Sequence, residues 1–315
     1  MNLAKSVSVA QPLSSWQDGP SRRAIIDAVD RLTRRASAQF VAPTERVAVF
    51  DNDGTLWPEQ PAYVQAIFLL DRIKQLAPAH PDWHDREPYV SALAGNLHAV
   101  AAGGERALAE LAMATHAGMT TDEFETIVKD WMASGRHPHF DRPYVDVVYR
   151  PMLELMDWLR ASGFKVYIVS GGGVEFIRPW AQSVYGVVPE QVIGSTIELR
   201  YELQDAKPVL RRLPQVDAID DKEGKPVSIQ KFIGRRPTMA FGNSDGDLAM
   251  LQWTMAGPGA RFAALVHHTD GEREWAYDRD SHFGRLDRAL DEAKARNWTL
   301  IDMKSDWKRV YAFEH

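Results

Sequence analysis

The chain has 315 residues, 37 basic and 43 acidic side chains, a formal net charge of −6 and no cysteine. The lack of cysteine excludes a disulfide framework, an iron–sulfur cluster, a thiolate zinc site and a cysteine nucleophile. The acid surplus argues against a general nucleic-acid binder, which needs a basic face to neutralise phosphates, and no apolar run reaches the roughly 20 residues that span a bilayer.

The first residues, with one Lys and an apolar stretch broken by Ser and Pro12, make a poor secretory signal. A cytoplasmic location is therefore expected, with a trimmed periplasmic precursor as the alternative. Residues 1–20 read as an irregular arm. Helical spacing follows over 21–37, with Ile25, Val29 and Leu32 on one stripe. Arg46 to Phe50 is a Val-rich apolar run that ends abruptly in Asp51-Asn52-Asp53-Gly54, the pattern of a buried strand followed by a tight turn. Residues 61–77 repeat apolar side chains at helical spacing until Pro78 and Pro81 end the run. Further helices are expected over 88–101 and 105–116. Thr120 with Glu123 forms a capping-box pattern that opens another helix, closed by Gly135. The stretch 60–135 is thus expected to hold helices and no strand.

The pattern then changes. Pro151 opens a helix that stops at Gly163. Strands are expected over 164–169, running into Ser170-Gly171-Gly172-Gly173, over 238–241, running into Gly242-Asn243-Ser244-Asp245-Gly246-Asp247, and over 261–267. Strands alternating with helices imply a mostly parallel sheet covered on both faces. Ligands of such sheets bind at the carboxyl ends of the strands, and three of these ends carry polar clusters.

Asp51 and Asp53 lie two residues apart just past a buried strand. Neighbouring carboxylates repel unless a cation sits between them, and hard oxygen ligands suit Mg2+. Gly54 permits the turn, and Thr55 offers a hydroxyl to an anion. The glycines after Ser170 let bare amides approach an anion closely. Their spacing is not that of a dinucleotide-binding turn.

These motifs, in this order, resemble those of the haloacid dehalogenase superfamily. DNDGTL at 51–56 is similar to its nucleophile motif, VSGG at 169–172 to its phosphate-binding motif, and GNSDGD at 242–247 to its acidic metal motif, preceded by a Lys. The VSGG and GNSDGDLAML forms look most like the phosphoserine-phosphatase-like branch. The resemblance implies an α/β, Rossmann-like, mostly parallel core with an inserted α-helical cap domain. The arm and first helix take 1–45, the core 46–58 and 150–315, and the cap 59–149.

It also implies roles. Asp51 is the expected nucleophile and a Mg2+ ligand. Asp53 is the expected acid and base, with its main-chain oxygen on the metal. Thr55, Ser170 and Gly171 are expected to hold the phosphoryl group, and Asn243 and Asp247 to complete the metal shell. Lys222, Lys225 and Lys231 are candidates for the lysine; Lys225 is favoured because it leads into the helical stretch 226–233. Asn243 departs from the family pattern, which has an Asp there. An amide oxygen ligates Mg2+ without bringing charge, so Asp247, with Asp245 as second candidate, is expected to anchor the metal.

The expected activity is Mg2+-dependent hydrolysis of a small phosphomonoester, phosphoserine-like by resemblance, through an aspartyl-phosphate. No nucleic-acid or membrane partner is expected. Trp57 and Glu59 are candidate substrate contacts by chain proximity, and Arg72, Arg106, Arg136 and Arg142 are candidates to meet a second anionic group. The alternatives are a catalytically weak member that binds a phosphorylated ligand or partner, motivated by Asn243, and a dehalogenase, against which Asp53 and the acidic motif argue.

Overall fold

The structure, a computed structural model, describes residues 12–314, so most of the expected N-terminal arm falls outside it. The seven strands found there are β1 (Val47–Phe50), β2 (Lys165–Gly173), β3 (Val192–Gln204), β4 (Lys207–Ala218), β5 (Met239–Gly242), β6 (Phe262–His267) and β7 (Thr299–Asp302). They form one sheet in the order β4-β3-β2-β1-β5-β6-β7. Every neighbouring pair is parallel except β3 with β4. The central strands β1 and β5 are buried on both faces, which is why each reads as a continuous apolar run rather than an alternation.

Helices cover both faces. On one lie α1 (Pro20–Thr33), α7 (Arg150–Ala161) and α8 (Val174–Tyr185), whose apolar sides meet Ala48, Phe50, Ile168 and Phe241. On the other, α9 (Gly224–Phe232), α10 (Leu248–Met255) and α11 (Arg288–Arg296) pack on Val47, Val49, Ala240 and Leu265. Successive strand residues therefore feed opposite cores, as the pleat requires.

Between β1 and β2 run five further helices, α2 (Val64–Leu76), α3 (Tyr89–Leu93), α4 (Leu97–Ala102), α5 (Gly104–His116) and α6 (Thr121–Ser134). The capping box at Thr120 forms, with Thr120 and Glu123 each bonded to the other's main-chain N–H. This segment has an apolar centre of its own around Leu70, Ile73, Trp83 and Tyr89. Its inner side, through Val64, Phe68, Phe124 and Val128, is continuous with the core of the sheet. No helix among the described residues is long and apolar enough to cross a membrane.

Three features differ from the sequence reading. The stretch 88–101 is two short helices, α3 and α4, broken at Gly95, whose φ is 69°. Strand β2 continues through the three glycines, with its pairing to β3 shifting between Ser170 and Gly173. The hairpin β3–β4 was not expected. It projects past the sheet and bonds its far edge to residues 118–120, with Gly118 N–H donating to Arg212 O at 2.8 Å and Arg212 N–H to Met119 O at 2.9 Å.

Candidate active site

The carboxyl ends of β1 and β5 are adjacent, since Phe50 pairs with Phe241 and Asp51 N–H donates to Phe241 O at 2.9 Å. Asp51 and the turn Asn243–Asp247 therefore leave the sheet side by side. Helix α9 then brings Lys225 between them. Its Nζ donates at 2.6 Å to Asp51 Oδ1, at 2.6 Å to Asp247 Oδ1 and at 2.9 Å to Val169 O, just before Ser170. All three side chains are buried. Burial opposes the Lys225 charge, but the two carboxylates outweigh it and hold the ammonium protonated. Burial and then the Asp247 charge push the Asp51 carboxyl well up, against the pull of Lys225. Two carboxyl groups thus share one ammonium.

Each neighbour has a definite task. Asp247 Oδ2 accepts Asn243 N–H at 2.9 Å and Ser244 N–H at 3.1 Å, so both oxygens of Asp247 are engaged. Asp245 Oδ1 accepts the N–H groups of Asp287 and Ala289 at 3.0 and 2.8 Å and so closes the start of α11. Thr55 Oγ lies 3.1 Å from Asn243 Oδ1 and 3.4 Å from Asp51 Oδ2. Asp53 is half-buried, and burial raises its carboxyl above the ordinary range. Its Oδ1 accepts the Trp57 indole N–H at 2.8 Å. Trp57 is buried and stacks on Trp180 at 4.6 Å.

Glu59 is 2% exposed. Its Oε1 accepts Asn243 Nδ2–H at 2.6 Å and Tyr277 O–H at 2.7 Å. Beneath the Asp51–Thr55 turn, His268 Nε2–H donates to Gly54 O at 2.8 Å, and its Nδ1 meets Glu274 Oε2 at 3.0 Å. Glu274 Oε1 in turn accepts Tyr149 O–H at 2.9 Å. Gly54 has φ 74°, and a Cβ there would strike the Asn243 amide and Glu59. Only glycine suits that conformation and that approach.

Ser170 is fully buried, and its Oγ accepts Gly172 N–H at 3.1 Å. Gly171 is exposed, while Gly173 N–H donates to Gln65 Oε1 of α2 at 2.7 Å, tying the helical segment to this loop. A cavity of about 450 Å³ opens beside the β5 turn, lined among others by Asp221, Lys222, Glu223, Ser244, Gly246 and Arg288. Lys231 is exposed. Arg72 bonds Gln75, Arg136 bonds Asp141 O and Arg142 lies over the Phe313 ring. The Arg106 side chain falls outside those described.

Tyr277, His268 and Glu274 are absent from the sequence reading. They sit in a connection after β6 with no local pattern to mark them.

None of the curated proteins compared with the chain matches it. Among solved structures it is similar to a protein with unknown function from Bordetella pertussis Tohama I, at 17% identity over 82% of this chain and 99% of that one, with a TM-score of 0.51. A conserved functionally unknown protein from Anaerococcus prevotii DSM 20548 is similar at 16% identity over 93% and 96%, with a TM-score of 0.54. A phosphoserine phosphohydrolase-like protein from Francisella tularensis subsp. tularensis SCHU S4 aligns at 15% identity over 80% and 99%, with a TM-score of 0.38. A family model described as haloacid dehalogenase-like hydrolase matches residues 48–252. That match runs from β1 through α10, covers well over half of the chain and takes in the Asp51, Ser170, Lys225 and Asp247 segments, so the chain belongs to the haloacid dehalogenase-like hydrolase family.

Proposed function

We propose that the protein is a Mg2+-dependent phosphomonoesterase that works through an aspartyl-phosphate on Asp51. The observation that carries this reading is the buried Asp51–Lys225–Asp247 array with a second acid, Asp53, held beside it by an indole. A carboxylate oxygen of Asp51 attacks phosphorus as the ester P–O bond breaks, and Asp53 gives its proton to the leaving alcohol. Asp53 then takes a proton from water, whose oxygen attacks the acyl phosphate, frees inorganic phosphate and restores Asp51. The raised carboxyl of Asp53 suits the first step. Lys225 lowers the repulsion between Asp51 and the incoming phosphate. Thr55, Ser170 and the Gly171 amide are read as the phosphate cradle.

The residues present fit a hard divalent cation. With Asp51 and Asp247 both ionised the cluster has one negative charge more than Lys225 neutralises, and Asp51 Oδ2 and Asn243 Oδ1 both face Thr55 Oγ. Asp51, Asn243 and the Asp53 main-chain oxygen would hold Mg2+, which when bound neutralises charge on carboxylate and phosphate. Asp247, expected among the ligands, is read instead as the anchor of Lys225 and of its own turn, because both its oxygens are engaged. Asp245, the second candidate, is read as the anchor of α11.

Helices α2–α6 are read as the cap. The VSGG and GNSDGDLAML forms support a phosphoserine-like substrate.

The test is a phosphomonoester panel with Mg2+, using p-nitrophenyl phosphate as the generic member. Turnover that falls by about 10,000-fold or more in Asp51→Asn, with the fold intact, is expected. Folded, metal-supplied protein that hydrolyses no phosphomonoester would sink the enzyme reading and leave that of a phosphate-binding relative.

A further inference from the structure

Asn243 poses a question of charge. It stands where the cluster would gain a carboxylate, and its amide oxygen brings none. The missing carboxylate is nevertheless close by. Glu59 accepts the Asn243 amide N–H at 2.6 Å, deep in the fold, with Tyr277 O–H on the same oxygen at 2.7 Å.

The backbone makes room for this pair from two sides. Gly54 (φ 74°) and Gly284 (φ 64°) both adopt the left-handed region, and a Cβ on either would run into the Glu59 carboxylate. Burial, with the nearby carboxylates, pushes the Glu59 carboxyl well up in the metal-free chain; once ionised it can only accept from the amide nitrogen and so settles which way the amide faces. Asn243 Oδ1 is thereby turned to Thr55 Oγ, 3.1 Å away, which also reaches Asp51 Oδ2 at 3.4 Å. A charge-assisted bond of this kind orients a ligand and makes its oxygen a better donor.

We infer that Glu59 and Asn243 act as one divided aspartate, Asn243 presenting the oxygen to a divalent cation and Glu59, one hydrogen bond behind it, holding the amide in place and supplying the negative charge when the cation binds. This rests on the reading of the strand-end turns as a metal site. Glu59 is accordingly a positioning residue, which is why it faces inward although it follows directly on the nucleophile motif.

The probe is Mn2+ alone, titrated into the full chain and followed by the electron paramagnetic resonance signal of free Mn2+, with thermal unfolding in parallel. Glu59→Gln is expected to weaken Mn2+ binding by about 10-fold or more, the usual effect of losing a group behind a ligand. Asn243→Asp sets two carboxylates face to face and is expected to lower the metal-free melting temperature. The double variant Glu59→Gln with Asn243→Asp has one carboxylate and one amide again, in reversed order. It is expected to regain both the melting temperature and Mn2+ affinity within about threefold of the parent, because paired sites couple non-additively.

Equal Mn2+ affinity in the parent and Glu59→Gln overturns the inference, and so does a double variant that binds no better than Glu59→Gln. If Glu59→Gln does not fold, the double variant decides alone: near-parent affinity supports the divided aspartate, and lost affinity in folded protein refutes it. A parent chain that binds no Mn2+ would instead remove the metal reading itself.

Discussion

On the floor of the site, a few carboxyl and ammonium side chains hold the turns after β1 and β5 through bonds of 2.6 to 3.1 Å to one another and to main-chain groups. The helical segment α2–α6 is instead knit together by rings, one of which reaches α8 of the core. Phe68 meets His116, Phe124, Trp131 and Phe176 at centroid distances of 5.2 to 6.1 Å. The two regions should answer differently to substitution. Trimming a ring removes a few of many small dispersion attractions, whereas neutralising a charge in the floor leaves its partner buried and alone.

Lys225→Met is expected to break the floor most severely. It leaves Asp51 and Asp247 facing each other without a cation, and a broken buried pair costs about 3–5 kcal/mol. A urea midpoint unchanged from the parent would show that the floor does not depend on this cation.

Trp57→Phe keeps an aromatic ring beside Trp180 and removes the indole N–H together with its five-membered ring. Asp53 then loses a donor that favours its ionised form, so its carboxyl, already raised by burial, rises further. The limb of the kcat–pH profile that reports Asp53 should move to higher pH, with kcat lower by about 10-fold. An unmoved limb would mean that the indole only fills space.

Arg212 probes the other region. It pairs with Glu175, donates to His116 O at 2.7 Å and lies 3.9 Å over the Phe124 ring. Arg212→Met is expected to cost about 1–3 kcal/mol and to speed amide hydrogen exchange over 116–120, with a smaller effect on kcat than on KM. The least effect is expected at the tip of the hairpin. Leu203 is 66% exposed, so Leu203→Thr should stay within about 0.5 kcal/mol of the parent.

The same contrast explains what the sequence makes legible. The turns of the floor stand out because each polar cluster ends an apolar run, and Lys225 stands out because it leads into a helix that precedes such a run. The capping box at Thr120 is legible for a similar, local reason. Strand β3 carries a readable signal that the chain-order reading passes over, since Ile197, Leu199, Tyr201 and Leu203 alternate with Glu198, Arg200 and Glu202.

The rest has no local signature. Trp57 and Glu59 are easily picked out as neighbours of the nucleophile motif. That they turn inward, Trp57 to Asp53 and Glu59 to Asn243, depends on partners such as Trp180, Asn243 and Tyr277, at distances along the chain that no periodicity reports. Asp245 and Asp247 look alike in sequence, and only the packing of α11 and α9 gives them separate tasks.

The bond from His268 to the Gly54 carbonyl joins residues 214 positions apart. Its consequence concerns the birth of the protein. A nascent chain that has released residues 48–252 already carries the segment matched by the family model, yet the Gly54 carbonyl of the Asp51–Thr55 turn still lacks its donor. The imidazole and the Glu274 and Tyr149 groups behind it meet only when a later stretch has emerged and folded back. Because domains assemble as synthesis proceeds, the turn gains its full support only once residues 268–274 have emerged. A chain cut short after the last motif would keep Asp51, the proposed nucleophile, in a turn without its underlying support.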